Sequence, residues 1–126
     1  RYTRIKAAMS TKVRVVNLEG RVTLATVEKL QERLRNQIDE KPVVLASLSQ
    51  TDEIDLAGVQ LLYAARRYAV EHGKEFHLTG SVPERVAHTL FESGFVPMVL
   101  RDGKELDESL HEFAAQSDDA EESEDA

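Results

Sequence analysis

The stretch Ile54-Asp55-Leu56-Ala57-Gly58-Val59-Gln60-Leu61-Leu62 sets the tightest limits on the fold of this chain. Just upstream, Pro42-Val43-Val44-Leu45-Ala46-Ser47-Leu48 is a short apolar run behind a proline. Such a run reads as a strand buried on both faces, as in a parallel sheet. Ser49 to Glu53 is polar and reads as a loop, and a helical pattern starts immediately after it. A strand, a tight polar connection and a helix N-terminus make up the place where α/β proteins put their function. Asp55 has the chemistry of an N-cap, because its carboxylate accepts from backbone N–H groups in the first turn. Gly58 lets another backbone or a partner approach that turn closely.

The flanking segments extend this unit in both directions. Val13 to Leu18 alternates as a strand, and Glu19-Gly20 supplies a turn. Thr23 then caps a helix whose inner stripe is Leu24, Val27, Leu30, Leu34 and Ile38. The second helix is expected over Leu56–His72, with Gly73 closing it. Glu75 to Leu78 makes a further strand, and Pro83 opens a third helix that stops at Gly94. Phe95 to Leu100 is expected as a terminal edge strand because of Pro97, and Lys104 to Ala115 as a last helix. Strands and helices alternate with short connections. That order predicts one α/β domain with a mixed sheet of four to five strands flanked by helices.

Composition narrows the function classes. There is no cysteine, which removes disulfides and thiolate-bound metals. No apolar run approaches the ~20 residues of a membrane helix, and no apolar segment follows the basic N-terminus as a signal peptide requires. A cytoplasmic protein without direct membrane insertion is expected. Six acids lie in the last ten residues, so 117–126 is expected to be a disordered acidic tail behind a helical segment at 101–116. The arm 1–12 is basic but short and poor in aromatics, so nucleic-acid binding is not expected. The chain opens on Arg1, which marks Met9 as the expected natural start and 1–8 as an addition.

Catalytic and cofactor signatures are weak. His72, His77, His88 and His111 have no metal-ligand spacing, and the glycines form no phosphate-cradling loop. Asp52, Glu53 and Asp55 resemble an acidic metal site only superficially; loop solvation and helix capping account for them. Neither an enzyme nor a cofactor is expected. The second helix is more informative. Val59, Leu62, Ala65 and Ala69 form one apolar stripe, and Ala57, Leu61, Ala64 and Tyr68 form another. Either the helix is buried broadly within its own domain, or the second stripe is a docking face beginning at the Gly58 turn.

Taken together, Val44-Leu45-Ala46-Ser47-Leu48-Ser49, Asp55-Leu56-Ala57-Gly58-Val59, Gly73, Leu78-Thr79-Gly80 and Leu90-Phe91-Glu92-Ser93-Gly94-Phe95 resemble a STAS domain over residues 13–100. STAS domains form the anti-sigma factor antagonists and the cytosolic tails of sulfate transporters. The resemblance implies a bacterial regulatory module for protein–protein contact, with a partner that is an anti-sigma factor of serine-kinase type. In those antagonists the loop reads Asp-Ser-Ser-Gly or Asp-Thr-Ser-Gly, and the hydroxyl before the glycine is phosphorylated by the partner. Asp55 and Gly58 match that loop, whereas Ala57 takes the phosphoacceptor position and Leu56 the other hydroxyl position. The implied contact surface is Glu53, Asp55, Leu56, Ala57 and Gly58 with Leu61, Ala64 and Tyr68. Ser47, Ser49 and Thr51 are the nearby hydroxyls, none at the matching position.

Similar loops ending in Ala-Gly occur in accessory subunits of phospholipid-transporting ABC complexes, and in small proteins that accompany chemotaxis kinases. A transporter or chemotaxis-kinase partner is therefore the alternative. A small-ligand domain for a nucleotide or lipid is a third reading, and a homodimer through the edge strand or the last helix is left open.

Overall fold

The computed structural model describes residues 12–110. The N-terminal arm up to residue 11, the end of the expected last helix and the acidic tail lie outside the described residues. Eight named elements run in the order β1 (Val13–Asn17), β2 (Gly20–Val22), α1 (Val27–Glu40), β3 (Val43–Ser47), β4 (Thr51–Ile54), α2 (Leu56–Glu71), β5 (Glu75–Thr79) and α3 (Glu84–Glu92). A further helix, α4, occupies 103–110. The expected single α/β domain is present. Its ladders, however, are parallel throughout the named strands rather than mixed: β1-β3-β5 form one sheet and β2-β4 a second.

The apolar run 43–47 becomes the central strand, paired with β1 on one side and β5 on the other. Its Val44 and Ala46 are fully enclosed, as a strand covered on both faces requires. Leu34 and Ile38 from α1, Val59, Leu62 and Ala69 from α2, and Val86 and Leu90 from α3 complete one core.

Three expectations about elements are corrected. The polar run 51–54 is a strand and not a loop. Gly20 pairs with Thr51 and Arg21 with Glu53, which leaves Asp52 as the extra residue of a bulge. That bulge lets both Thr51 and Ile54 point inward, a pattern that simple alternation conceals.

The first helix starts at Val27 and not at Thr23. The Thr26 hydroxyl accepts from Thr23 N at 3.1 Å and donates to Arg21 O at 2.8 Å, folding 23–26 into a turn. Leu24 is thereby turned out of the expected inner stripe to 76% exposure.

Phe95 to Leu100 is not a strand. Pro97 offers no N–H, and the β5 edge is occupied by a side chain instead: Asp107 Oδ1 accepts from Leu78 N at 2.8 Å. Val96 and Leu100 still turn inward. The last helix docks on its own domain, burying Leu106 and Leu110.

Candidate functional site

The start of α2 is built by one carboxylate acting in two directions. Asp55 caps the helix, with Oδ1 accepting from Gly58 N at 2.9 Å. Its Oδ2 accepts from Leu24 N at 3.0 Å, thirty-one residues earlier in the chain. The same residue's N–H donates to Val22 O at 3.4 Å. Asp55 therefore fastens the 23–26 turn to the first turn of α2, and both satisfy donors that would otherwise be orphaned.

Gly58 lets these pieces come together. A Cβ there would overlap the Val22 carbonyl oxygen and lie 2.9 Å from Ile54 Cγ1. The close approach expected of Gly58 is thus made by the chain's own β2. Gly73, at φ +69°, closes the far end of α2, where Lys74 N reaches back to Ala69 O at 2.7 Å.

The outcome is a rigid end that presents apolar side chains. Leu24 and Leu56 are exposed, with Leu56 at 56%, and they flank Asp55. Ala57 is half-buried beside them. Glu53 is exposed and pairs with Arg21 across the β2–β4 ladder at 3.6 Å. Periodicity placed Leu24 in the α1 stripe and so missed it. The signal that could have found it is Thr26, a second hydroxyl able to end the turn before Val27.

The second stripe of α2 has a different fate. Leu61 is 5% exposed, and with Ala64 and Ala65 it faces Gln31, Leu34 and Arg35 of α1 around a shallow dimple. Tyr68 donates to Asp39 Oδ1 at 2.8 Å, and the Arg35 guanidinium lies 5.1 Å from its ring centroid. That bond to Asp39 raises the Tyr68 pKa above the ordinary tyrosine range. The stripe therefore packs against α1: Leu61 is buried there, which corrects its placement on an exposed face, while Ala64 and Tyr68 are half-buried and keep part of their surface in solvent. Apolar residues surround α2 because it is packed on more than one side. Tyr63, on the same helix, has its pKa pushed up to about 12 by burial, with Arg66 acting in the opposite direction.

Two of the three nearby hydroxyls are structural. Thr51 is 2% exposed and donates to Leu18 O at 2.6 Å. Ser47 is 6% exposed and lies 2.9 Å from the Ser49 hydroxyl. Only Ser49 of the three is exposed.

A second polar cluster lies on the other side of α2. Asp107 of α4 receives the Arg66 guanidinium, Leu78 N and, at 3.0 Å, His77 Nδ1, while His77 Nε2 sits 3.2 Å from Glu75. It ties α4, α2 and β5 together. Among the described residues no group of three or more histidines and acids could hold a metal ion. None of the described helices is long and apolar enough to cross a membrane.

Comparison with known proteins is consistent with this architecture. The family model described as "Mlab, STAS domain" matches residues 5–100. No curated protein matches the chain. Among solved structures, the Bacillus cell fate determinant SpoIIAA in its phosphorylated form superposes with a TM-score of 0.51 at 18% identity, over 67% of this chain and 77% of that one. The anti-sigma factor antagonist SpoIIAA in its unphosphorylated form gives 0.50 at 17% identity, over 64% and 76%. The murine anion transporter Slc26a9 gives 0.57 at 13% identity over 84% of this chain, which spans 18% of the transporter chain. At these identities the likeness is one of fold.

Proposed function

The chain belongs to the STAS domain family, and we propose that it is a cytoplasmic regulatory module that binds a protein partner through the start of α2. The observation that carries this reading is the pair Leu24 and Leu56, both exposed and held around Asp55 by its two backbone hydrogen bonds. Large apolar side chains fixed on a rigid turn lose little conformational freedom when covered, which favours docking there. Glu53 and Ala57 complete the surface. Gly58 and Asp55 act on it from beneath, as the residues that set its shape. Leu61, Ala64 and Tyr68 support it through the α1 interface.

By the resemblance, Ala57 stands where antagonists carry the phosphoacceptor hydroxyl. The buried Ser47 and Thr51 offer no substitute, because each hydroxyl is engaged inside the fold. The exposed Ser49 precedes β4 instead of standing at the start of α2, with its hydroxyl 2.9 Å from that of Ser47. The module is therefore a constitutive binder, resembling an anti-sigma factor antagonist but lacking its release switch. Its role is interaction, not catalysis.

Affinity capture from the source cell, with wild-type and Ala57→Arg baits compared by mass spectrometry, tests the reading. The expected result is a partner of serine-kinase-like anti-sigma type that is lost with Ala57→Arg. Loss of a transporter or chemotaxis-kinase subunit instead moves the assignment to that complex. A capture profile identical for both baits refutes docking at α2.

A further inference from the structure

The β2–β4 ribbon that leads up to Leu24 and Leu56 is also rich in negative charge. Segments 19–28 and 49–60 are held side by side by the parallel β2–β4 pairing and the Asp55–Leu24 hydrogen bond. Together they contain five acids against Arg21 alone. The rest of 12–110 is nearly balanced, with twelve bases against eleven acids. Glu19, Glu28, Asp52 and Glu53 are all exposed. Glu53 is shared with Arg21 at 3.6 Å in a solvent-exposed pair, which an incoming cation can exchange at little cost.

Resting on the docking reading above, we infer that the partner element is a protein segment both apolar and cationic, with side chains seated against Leu24 and Leu56 and Lys or Arg set over Asp52 and Glu53. Each half of this chemistry answers one observation. The leucines need apolar cover, and the acid rim selects a positively charged partner and repels a negatively charged one. A polynucleotide or an anionic membrane surface is repelled. A small cation leaves the leucines uncovered. The chain's own last ten residues carry six acids, so they are repelled as well and compete for the same partner segment.

The test uses the full 126-residue chain, isotope-labelled for residue-resolved amide shifts. The probe is a synthetic helical peptide of leucine and lysine with the leucines on one face. Controls are the same peptide with glutamate for lysine and a peptide of residues 1–12, the chain's own cationic segment. The lysine peptide is expected to move the amides of Leu24, Leu56 and Ala57 and to weaken several-fold as salt rises from dilute buffer to about physiological strength. Leu56→Ser, which removes the apolar contact without adding charge, and separately Asp52→Lys with Glu53→Lys, are each expected to weaken it by about tenfold or more. Shifts confined to the acidic tail, or equal binding of the glutamate peptide, overturn the inference. So does tighter occupation of the same amides by residues 1–12, which makes the occupant this chain itself. If capture yields an Ala57→Arg-sensitive partner whose contacting segment is acidic, the charge inference fails while the docking reading stands.

Discussion

Gly58→Ala isolates the packing that shapes the proposed docking end. Gly58 has no positive φ, so alanine is welcome in its backbone conformation. In an ordinary helix the change stabilises by about 1 kcal/mol. Here the new methyl overlaps the Val22 carbonyl oxygen and crowds Ile54 Cγ1 at 2.9 Å. Relief requires the first turn of α2 to move away from β2. Overpacking of this kind costs about 1–3 kcal/mol. The movement also strains the Asp55 cap and its reach to Leu24 N, each worth about 1 kcal/mol. Set against the propensity gain, the net is a destabilisation of about 2–4 kcal/mol. For a domain of this size that lowers Tm by about 10–20 °C. Urea unfolding followed by far-UV circular dichroism measures it. Because the obstacle is a backbone carbonyl, adding Ile54→Ala brings its own cavity cost without rescue. Gly58→Ala at or above wild-type stability refutes the close-approach reasoning.

Other expectations follow from the same contacts. Leu61→Asp puts a carboxylate into the α1–α2 interface and is expected to cost about 3 kcal/mol or more, whereas Leu56→Asp, an acid in an exposed first turn, changes stability by less than about 0.5 kcal/mol; parallel urea titrations compare them, and equal effects refute the assigned faces. Asp107→Ala removes the partner of an Arg66 side chain only 12% exposed, so a loss of about 3 kcal/mol with faster amide exchange at Leu78 is expected, and unchanged exchange there denies the staple. Tyr63 gives an alkaline signature: its native pKa of about 12 lies above the unfolded value of 10.0. The unfolded chain therefore ionises first, and the contribution is full below pH 10 and lost as pH rises towards 12. Tyr63→Phe is expected to lessen the fall in urea midpoint over that window, with lysine titration cancelling in the difference; parallel curves deny the shift.

The parts of the fold that depend on one segment's own pattern were legible in the sequence. The buried run 43–47 announces a central strand because both its faces are apolar, and the Asp55 cap and Gly73 terminus bracket α2 by local chemistry. What was hidden depends on partners distant in sequence. Thr51-Asp52-Glu53-Ile54 looks like a loop because its inward residues are three apart, a spacing that only the Asp52 bulge makes compatible with a strand. Leu24 falls in register with the α1 stripe, and it is excluded by the Thr26 hydroxyl bonds to Arg21 O and Thr23 N together with the Asp55 bond to Leu24 N. The two-sided α2 was visible as a pattern, but the sequence left open which cover it had. The α1 contacts of Leu61 and Tyr68 answer that with the chain's own helix. Asp107 carried no readable signal, since its three contacts come from segments about thirty and forty residues away.

The charge of the proposed docking end bears on the proposal that Ala57 stands where antagonists carry a phosphoacceptor hydroxyl. A phosphate placed there adds nearly two negative charges at the start of α2. In an antagonist that releases its partner on phosphorylation, the added charge must be unfavourable in the complex. Along the two paired segments five acids already outnumber Arg21, and the inferred partner is cationic. Phosphate on such a surface strengthens attraction to the partner instead of opposing it, and the existing acids add a cost in the free protein that the complex relieves. A release switch of that design fails here on electrostatic grounds even if a hydroxyl is restored. Ala57→Ser, phosphorylated in vitro, is accordingly expected to bind the lysine peptide at least as tightly as wild type. Weaker binding of the phosphorylated form means that shape, not charge, governs docking, and that Ala57 alone is what holds the module in its constitutive state.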